Sequence, residues 1–327
     1  MMIKVAMLSK WHVHAVDYAR EAMQHPDIEI SVIWDEDSAR GESWAAELGV
    51  PFEPKLENVL KNPDIDGVIV DTPTSMHKEV ILAAAQHNKH IYSEKVLAFT
   101  VADCEEIFQA VEQNVVQLML SLPRLTEDYY LYAQKALDEG LIGTLTSIRC
   151  RCAHNGAVAD WLPEYFYDKK LCGGGALIDL GAHPIYLSNR LAGPAKAVTA
   201  RLHTFLDHLQ VDDNAAVIVE YESGALGILE TSFVSNGSPF QLELYGTDGT
   251  IMIEDTSVKI RSTKLSNENW ATPSDIPAPI PTPMEQWADA IQNGAKPTIT
   301  TDDMLKLTQI NEAAKQSHEE NRRVVIK

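Results

Sequence analysis

Up to Leu120 the chain alternates short apolar runs with helical stretches at a spacing that leaves few architectures open. Lys4–Leu8 is an apolar run followed by an abrupt polar turn, and Ala15–Gln24 reads as a helix ending near His25-Pro26. Ile28–Trp34 is a second strand, closed by the acidic triplet Asp35-Glu36-Asp37. Ser38–Leu48 is helical, another helix ends over Asn58–Lys61, and Gly67–Val70 is a buried strand ending at Asp71-Thr72-Pro73-Thr74. Helix Lys78–His87, strand His90–Ser93, helix Val101–Gln113 and strand Val115–Leu120 complete the series. This alternation predicts a Rossmann-like α/β unit, a doubly wound parallel sheet with helices on both faces.

After Pro123-Arg124 the pattern changes. A helix over about Asp128–Glu139 stops at Gly140, and long strands follow at Thr144–Ala153, Ala195–Leu206, Asn214–Tyr221, Ala225–Phe233, Gln241–Tyr245 and Thr250–Glu254. Ser223-Gly224, Asn236-Gly237 and Asp248-Gly249 are turn signals between strands, so this half is expected to be an α+β domain on a mostly antiparallel open sheet. The proline-rich Pro273–Pro283 is a connector, and Met284–Asn293 and Asp302–Asn321 close the chain as helices. A total of 327 residues exceeds the usual size of one core. Two domains are expected, residues 1–122 and 123–327.

The formal net charge of -20 repels phosphate backbones and anionic membranes, and no basic run overrides it, so nucleic acid and membrane are not expected partners. The opening residues turn polar too soon for a signal peptide, and a cytoplasmic location is expected. Cys104, Cys150, Cys152 and Cys172 are too scattered for a disulfide framework.

In a doubly wound sheet ligands bind beyond the carboxyl ends of the strands, which directs attention to the residues after each strand. Asp35 ends the second strand, where an acid commonly accepts hydrogen bonds from the adenosine ribose of NAD and repels the extra phosphate of NADP. Lys95, in Ser93-Glu94-Lys95, sits at another strand end, where a lysine can exchange protons with a hydroxyl or carbonyl. In the second half, Gly173-Gly174-Gly175 leads into a stretch read as helical, with Asp179 and His183 four residues apart on one face. Taken alone, such a pair is more often a solvated surface pair than a site.

Together these segments resemble one family. SEKV (Ser93–Val96), DTPTSMH (Asp71–His77), CGGGALIDLGAHP (Cys172–Pro184) and ELYGTDGTI (Glu243–Ile251), with a closing helix before a basic tail, are similar in order to the glucose-fructose oxidoreductase, inositol dehydrogenase and rhizopine catabolism (Gfo/Idh/MocA) family. The resemblance implies an N-terminal NAD(P)-binding domain, a C-terminal domain whose open sheet often mediates homo-oligomers, dimer or tetramer, and hydride transfer on a sugar, polyol or derivative. It matches Lys95, Asp179 and His183 to the family's catalytic positions. His183 is then the base, Lys95 polarises the oxygen and Asp179 orients substrate or imidazole, with the roles of Lys95 and His183 interchangeable. The cofactor, NAD in preference to NADP, is expected at Ser9, Lys10, Trp11, His12, Asp35, Thr72, Pro73, Thr74, His77, Glu94 and Lys95. Arg124, Trp161 and Tyr165 are candidate substrate walls.

The chain departs from the family pattern at its first turn. In place of Gly-x-Gly-x-x-Gly stands Ser9-Lys10-Trp11-His12-Val13-His14, so no glycine is left where pyrophosphate should approach the backbone. A helix N-terminus still offers N–H groups, and Ser9 and Lys10 a hydroxyl and a charge. Val96 replaces the proline after the lysine. His12-Val13-His14 also resembles the His-x-His metal pair of amidohydrolase-type barrels, a rival reading that the strand-rich second half opposes; no metal site is assigned. Two other readings stay open: a nucleotide- or sugar-sensing regulator of the same fold, favoured by the lost glycines, and NAD-dependent glycoside cleavage through transient oxidation.

Overall fold

The computed structural model describes residues 2–265 and 269–326. In chain order its strands are β1 (Ile3–Leu8), β2 (Ile28–Trp34), β3 (Gly67–Val70), β4 (His90–Ser93), β5 (Leu118–Leu120), β6 (Leu145–Ala153), β7 (Ala195–His203), β8 (Asn214–Tyr221), β9 (Leu226–Ser232), β10 (Gln241–Gly246), β11 (Gly249–Glu254), β12 (Ser257–Ser262) and β13 (Val324–Val325). The helices are α1 (Ala15–Gln24), α2 (Ser38–Leu48), α3 (Leu56–Lys61), α4 (His77–Gln86), α5 (Val101–Gln113), α6 (Asp128–Asp138), α7 (Lys169–Cys172), α8 (Ala182–Ala192), α9 (Pro283–Asn293) and α10 (Thr301–Glu320).

Two compact units result, one from the chain up to Ser121 with Pro281–Met304, the other from Leu122–Ile280 with the chain from Leu305 onward. In the first unit β1 to β5 form a parallel sheet in the order β2-β1-β3-β4-β5, the doubly wound arrangement that the alternation predicts. All four residues of β3 are buried, as a strand covered on both faces requires. Asp37 caps α2 by accepting the N–H groups of Ala39 and Arg40, and Thr100 caps α5 through the Asp103 N–H. The last strand is shorter than expected. Val115 has φ +54°, is 83% exposed, and donates its N–H to the Glu112 carbonyl, which leaves Leu118–Leu120 to pair with β4.

A single cut after residue 122 would assign Pro281–Met304 to the second unit, whereas the structure returns this segment to the first. The anchor is Trp287 on α9, fully buried, with its ring centroid 5.8 Å from that of Tyr92. Gly67 makes room for it, because a Cβ there would lie 3.0 Å from the indole. A capping box of Thr282 and Glu285 starts the helix, with Pro283 in its first turn.

The second unit is built on an eight-stranded sheet in the order β12-β11-β10-β6-β9-β8-β7-β13. Its pairings are antiparallel except for β6 with β9, which is parallel. Ile148, Cys150 and Cys152 of β6 alternate inward, and α8 packs over β6 and β9. The opposite face carries exposed Ile218, Leu226, Ile228 and Met252. Strand β7 stops at His203 because the Phe205 and Leu206 N–H groups turn to the carboxylate of Asp213. No helix among the described residues is long and apolar enough to cross a membrane.

Truncating the α9 anchor, Trp287→Ala, is expected to cost about 3–5 kcal/mol. Urea unfolding should register it as a lower midpoint, and an unchanged midpoint would show that α9 does not hold the first unit together.

Candidate active site

At the carboxyl end of the parallel sheet the turn after β1 keeps its tight bend without glycine. Ser9 is buried at φ +79°, the left-handed region that glycine ordinarily supplies. Its Oγ accepts the Trp11 N–H at 3.0 Å and Arg40 Nη2 at 3.2 Å, which holds the strained residue in place. The neighbouring N–H groups are engaged too: Lys10 donates to Asp35 Oδ2, His12 to the Asp71 carbonyl, and His14 to His12 Nδ1. Lys10 sends its ammonium to Glu47 at 2.5 Å, and the Trp11 indole is buried.

Asp35 sits at the end of β2 as expected, but already paired. Its carboxylate accepts from the Lys10 and Asp37 N–H groups and from Nε and Nη2 of Arg40, filling the roughly four acceptor positions of a carboxylate. Arg40, a residue the sequence reading passed over, lies in the first turn of α2 and pairs also with Glu36.

The strand ends of β3 and β4 carry a buried charged cluster. Glu94 is 1% exposed, and its carboxylate faces Lys95 Nζ at 3.2 Å, His14 Nδ1 at 3.3 Å and His12 Nε2 at 3.9 Å, while the Tyr18 hydroxyl donates to Oε2. Burial alone would raise this carboxyl; His12, Lys95 and His14 outweigh it and hold it well below the usual carboxylate range. Lys95 is 5% exposed, and its peptide to Val96 is cis. On the adjacent strand end, burial and the Glu94 charge push Asp71 well above the usual range. Both Asp71 carboxylate oxygens and Thr72 Oγ1 lack a hydrogen-bond partner. Pro73 is buried and Thr74 begins a short 3-10 turn. The buried His77 ring lies between the Val96 carbonyl, 2.8 Å from Nδ1, and the Thr72 carbonyl, 3.1 Å from Nε2; a neutral ring donates to one of the two, and burial lowers its pKa.

In the second unit the glycine-rich segment is folded by a residue far along the chain. Asp212 accepts the Gly175 N–H on Oδ1 at 2.9 Å and the Leu177 N–H on Oδ2 at 2.8 Å, and its carbonyl takes the Ala176 N–H. Only glycine fits at 175, since a Cβ would meet the Asp212 carbonyl oxygen at 1.9 Å. The continuous helix expected through Asp179 and His183 does not form. Gly181 reaches back five residues to the Ala176 carbonyl, which breaks the helical register, and α8 starts at Ala182. Asp179 therefore lies in a half-buried turn, while His183 is buried in the first turn of α8.

His183 Nδ1 bonds Tyr186 Oη at 2.8 Å, and burial pushes that phenol well above its usual range. The same hydroxyl accepts the Arg124 N–H. Arg124 Nη1 donates to Tyr129 Oη at 2.9 Å, and the guanidinium lies 4.0 Å from the centre of the Phe240 ring. Trp161 is 52% exposed with its ring 4.6 Å from His154, and Tyr165 packs on the cluster of Leu162, Phe166, Ala176 and Phe233.

A family model described as oxidoreductase family, NAD-binding Rossmann fold, matches residues 12–122, and one described as the GFO/IDH/MocA C-terminal domain matches residues 130–252. The chain belongs to the Gfo/Idh/MocA oxidoreductase family. A scyllo-inositol 2-dehydrogenase (NAD(+)) of Bacillus subtilis is 28% identical over 316 residues, 89% of this chain and 87% of the relative. A levoglucosan dehydrogenase of Pseudarthrobacter phenanthrenivorans is 28% identical over 227 residues, 60% of this chain and 57% of the relative's length. The solved structure of a levoglucosan dehydrogenase with NADH and levoglucosan matches this Gfo/Idh/MocA chain with a TM-score of 0.86 at 21% identity, over 100% of both chains.

In this Gfo/Idh/MocA protein Asp212→Asn should cost about 1–3 kcal/mol, because an amide has one acceptor oxygen for two buried N–H groups and turns its NH2 toward the other. Urea denaturation of the variant tests the clamp, and wild-type stability would refute it.

Proposed function

We propose that the protein is an NAD-dependent oxidoreductase that moves hydride to or from a secondary hydroxyl of a sugar, polyol or derivative. The observation that carries the reading is the buried Lys95 ammonium held by Glu94 at the carboxyl end of β4, in a chain of an oxidoreductase family. The frame fits a dinucleotide: Ser9 keeps the bend, α1 begins behind it, and Asp35 ends β2. Bound there, the nicotinamide would supply the hydride acceptor or donor.

The chain's own residues then divide the work. A phenol kept neutral by burial can accept the Nδ1 proton of His183, which leaves Nε2 with the lone pair that a base needs. Lys95, paired with Glu94 at 3.2 Å, polarises the reacting oxygen, and Asp179 orients substrate or imidazole. Trp161 and Tyr165 offer apolar faces to a sugar ring. Asp35, once Arg40 yields its oxygens, accepts ribose hydroxyls and excludes a 2′-phosphate. The partner is a small molecule. We place the protein in the cytoplasm as a homo-oligomer joined through the exposed Ile218, Leu226, Ile228 and Met252 face.

One observation favours the sensor reading: the N–H groups that would cradle a diphosphate are already engaged. Tight binding of NAD without turnover of any hexose, inositol or anhydrosugar would decide for it.

Lys95→Ala and His183→Ala should each lower turnover by about 10²–10⁴-fold on the best of those substrates, with circular dichroism unchanged. Full activity in both variants would sink the assignment. Arg40→Ala should tighten NAD binding severalfold by releasing two acceptor positions on Asp35, while NADP stays weak. Calorimetry that ranks NADP above NAD in the wild type would refute the role of Asp35.

A further inference from the structure

His12 and His14 have no part in the hydride chemistry, yet they meet Glu94 at one buried point. Their ligand atoms and a Glu94 oxygen all lie within 4.8 Å of one another. We propose that His12, His14 and Glu94 form a binding site for one divalent transition-metal ion of the zinc class.

Two imidazoles and a carboxylate are the donor set of open, three-ligand zinc sites, in which a fourth position is left for water or another oxygen. Tetrahedral bonds of about 2.0–2.2 Å place donors roughly 3.3–3.5 Å apart, so the three groups need to close by only about an ångström. His14 Nδ1 and Glu94 Oε2 are already 3.3 Å apart. The Tyr18 hydroxyl bonds the same oxygen, the kind of supporting contact that orients a ligating carboxylate. Asp71, on the next strand end, adds a buried carboxyl group whose two oxygens lack hydrogen-bond partners.

The groups facing the site set the terms of entry. Lys95 Nζ shares Glu94 Oε1 and competes with the ion for it. His12 Nδ1 accepts the His14 N–H at 3.2 Å, and ligation through Nε2 requires that nitrogen to be free of a proton. A site with these requirements takes up metal slowly and favours ions that imidazole binds well, Zn2+ or Co2+ over Mg2+.

The test uses full-length protein stripped with a chelator and free of dinucleotide, titrated calorimetrically with ZnCl2 alone. One ion per chain is expected in the wild type. His14→Ala, at a side chain 38% exposed and tolerant of replacement, should weaken binding by more than the roughly 10–100-fold that loss of a supporting contact costs, and Tyr18→Phe by about that range. Bound Co2+ should show the visible absorption of a tetrahedral site in the wild type and lose it in His14→Ala. Wild-type affinity and stoichiometry in His14→Ala, or no saturable binding in the wild type, would overturn the proposal. A parallel NAD titration of the stripped protein reports on the oxidoreductase reading separately, so either can fail without the other.

Discussion

The carboxylate of Glu94 is the charge that the first unit must accommodate. An ionised group taken this far from water costs several kcal/mol unless it is paired and hydrogen-bonded, and each group that compensates it comes from a different stretch of chain. Lys95 follows on the same strand end, Tyr18 projects from α1, and the two imidazoles come from the turn after β1. The cluster therefore fixes the entry of α1 against β4. Restoring glycine at 9, 11 and 14 would remove the His14 imidazole and leave the acid with one fewer basic partner, so the lost third glycine and the buried acid are linked.

A second carboxylate does comparable work by another route. Burial pushes Asp212 up, and the Gly175 and Leu177 N–H groups pull against that rise. Here backbone dipoles, not side-chain charges, make burial tolerable, and the product is a turn rather than an ion cluster. That turn delivers Asp179 half-buried and His183 buried, two environments from residues four apart.

What was legible in the sequence follows from how local its physical cause is. The boundaries of α1, β2, α2, β3, β4 and α5 are set by apolar period, caps and prolines within a few residues, and the sequence states them nearly to the residue. The helix expected across Asp179 failed because its competitor, Asp212, lies more than thirty positions away and leaves no mark on the local pattern. The same reason hid the return of α9, which depends on Gly67 and Tyr92 meeting Trp287. At Asp35 the residue type was readable and its occupancy was not. Arg40, five residues on, was the available signal: an arginine in the first turn of a helix reaches back to an acid at the preceding strand end.

Ser9 shows how far residue type can drift from backbone shape. A non-glycine residue in the left-handed region costs about 1–2 kcal/mol, and the sequence shows only that the glycine is lost. The bend is present, because the serine hydroxyl accepts from both the Trp11 N–H and Arg40 and offsets the strain with bonds that glycine cannot make. Those bonds connect the turn to Arg40, and through it to Asp35, so the turn after β1 and the end of β2 become mechanically coupled. Displacing Arg40 from Asp35 would therefore loosen Ser9 as well. A glycine turn, with no side chain, transmits nothing between the two ends; here the substitution makes the conformation of one depend on the occupancy of the other.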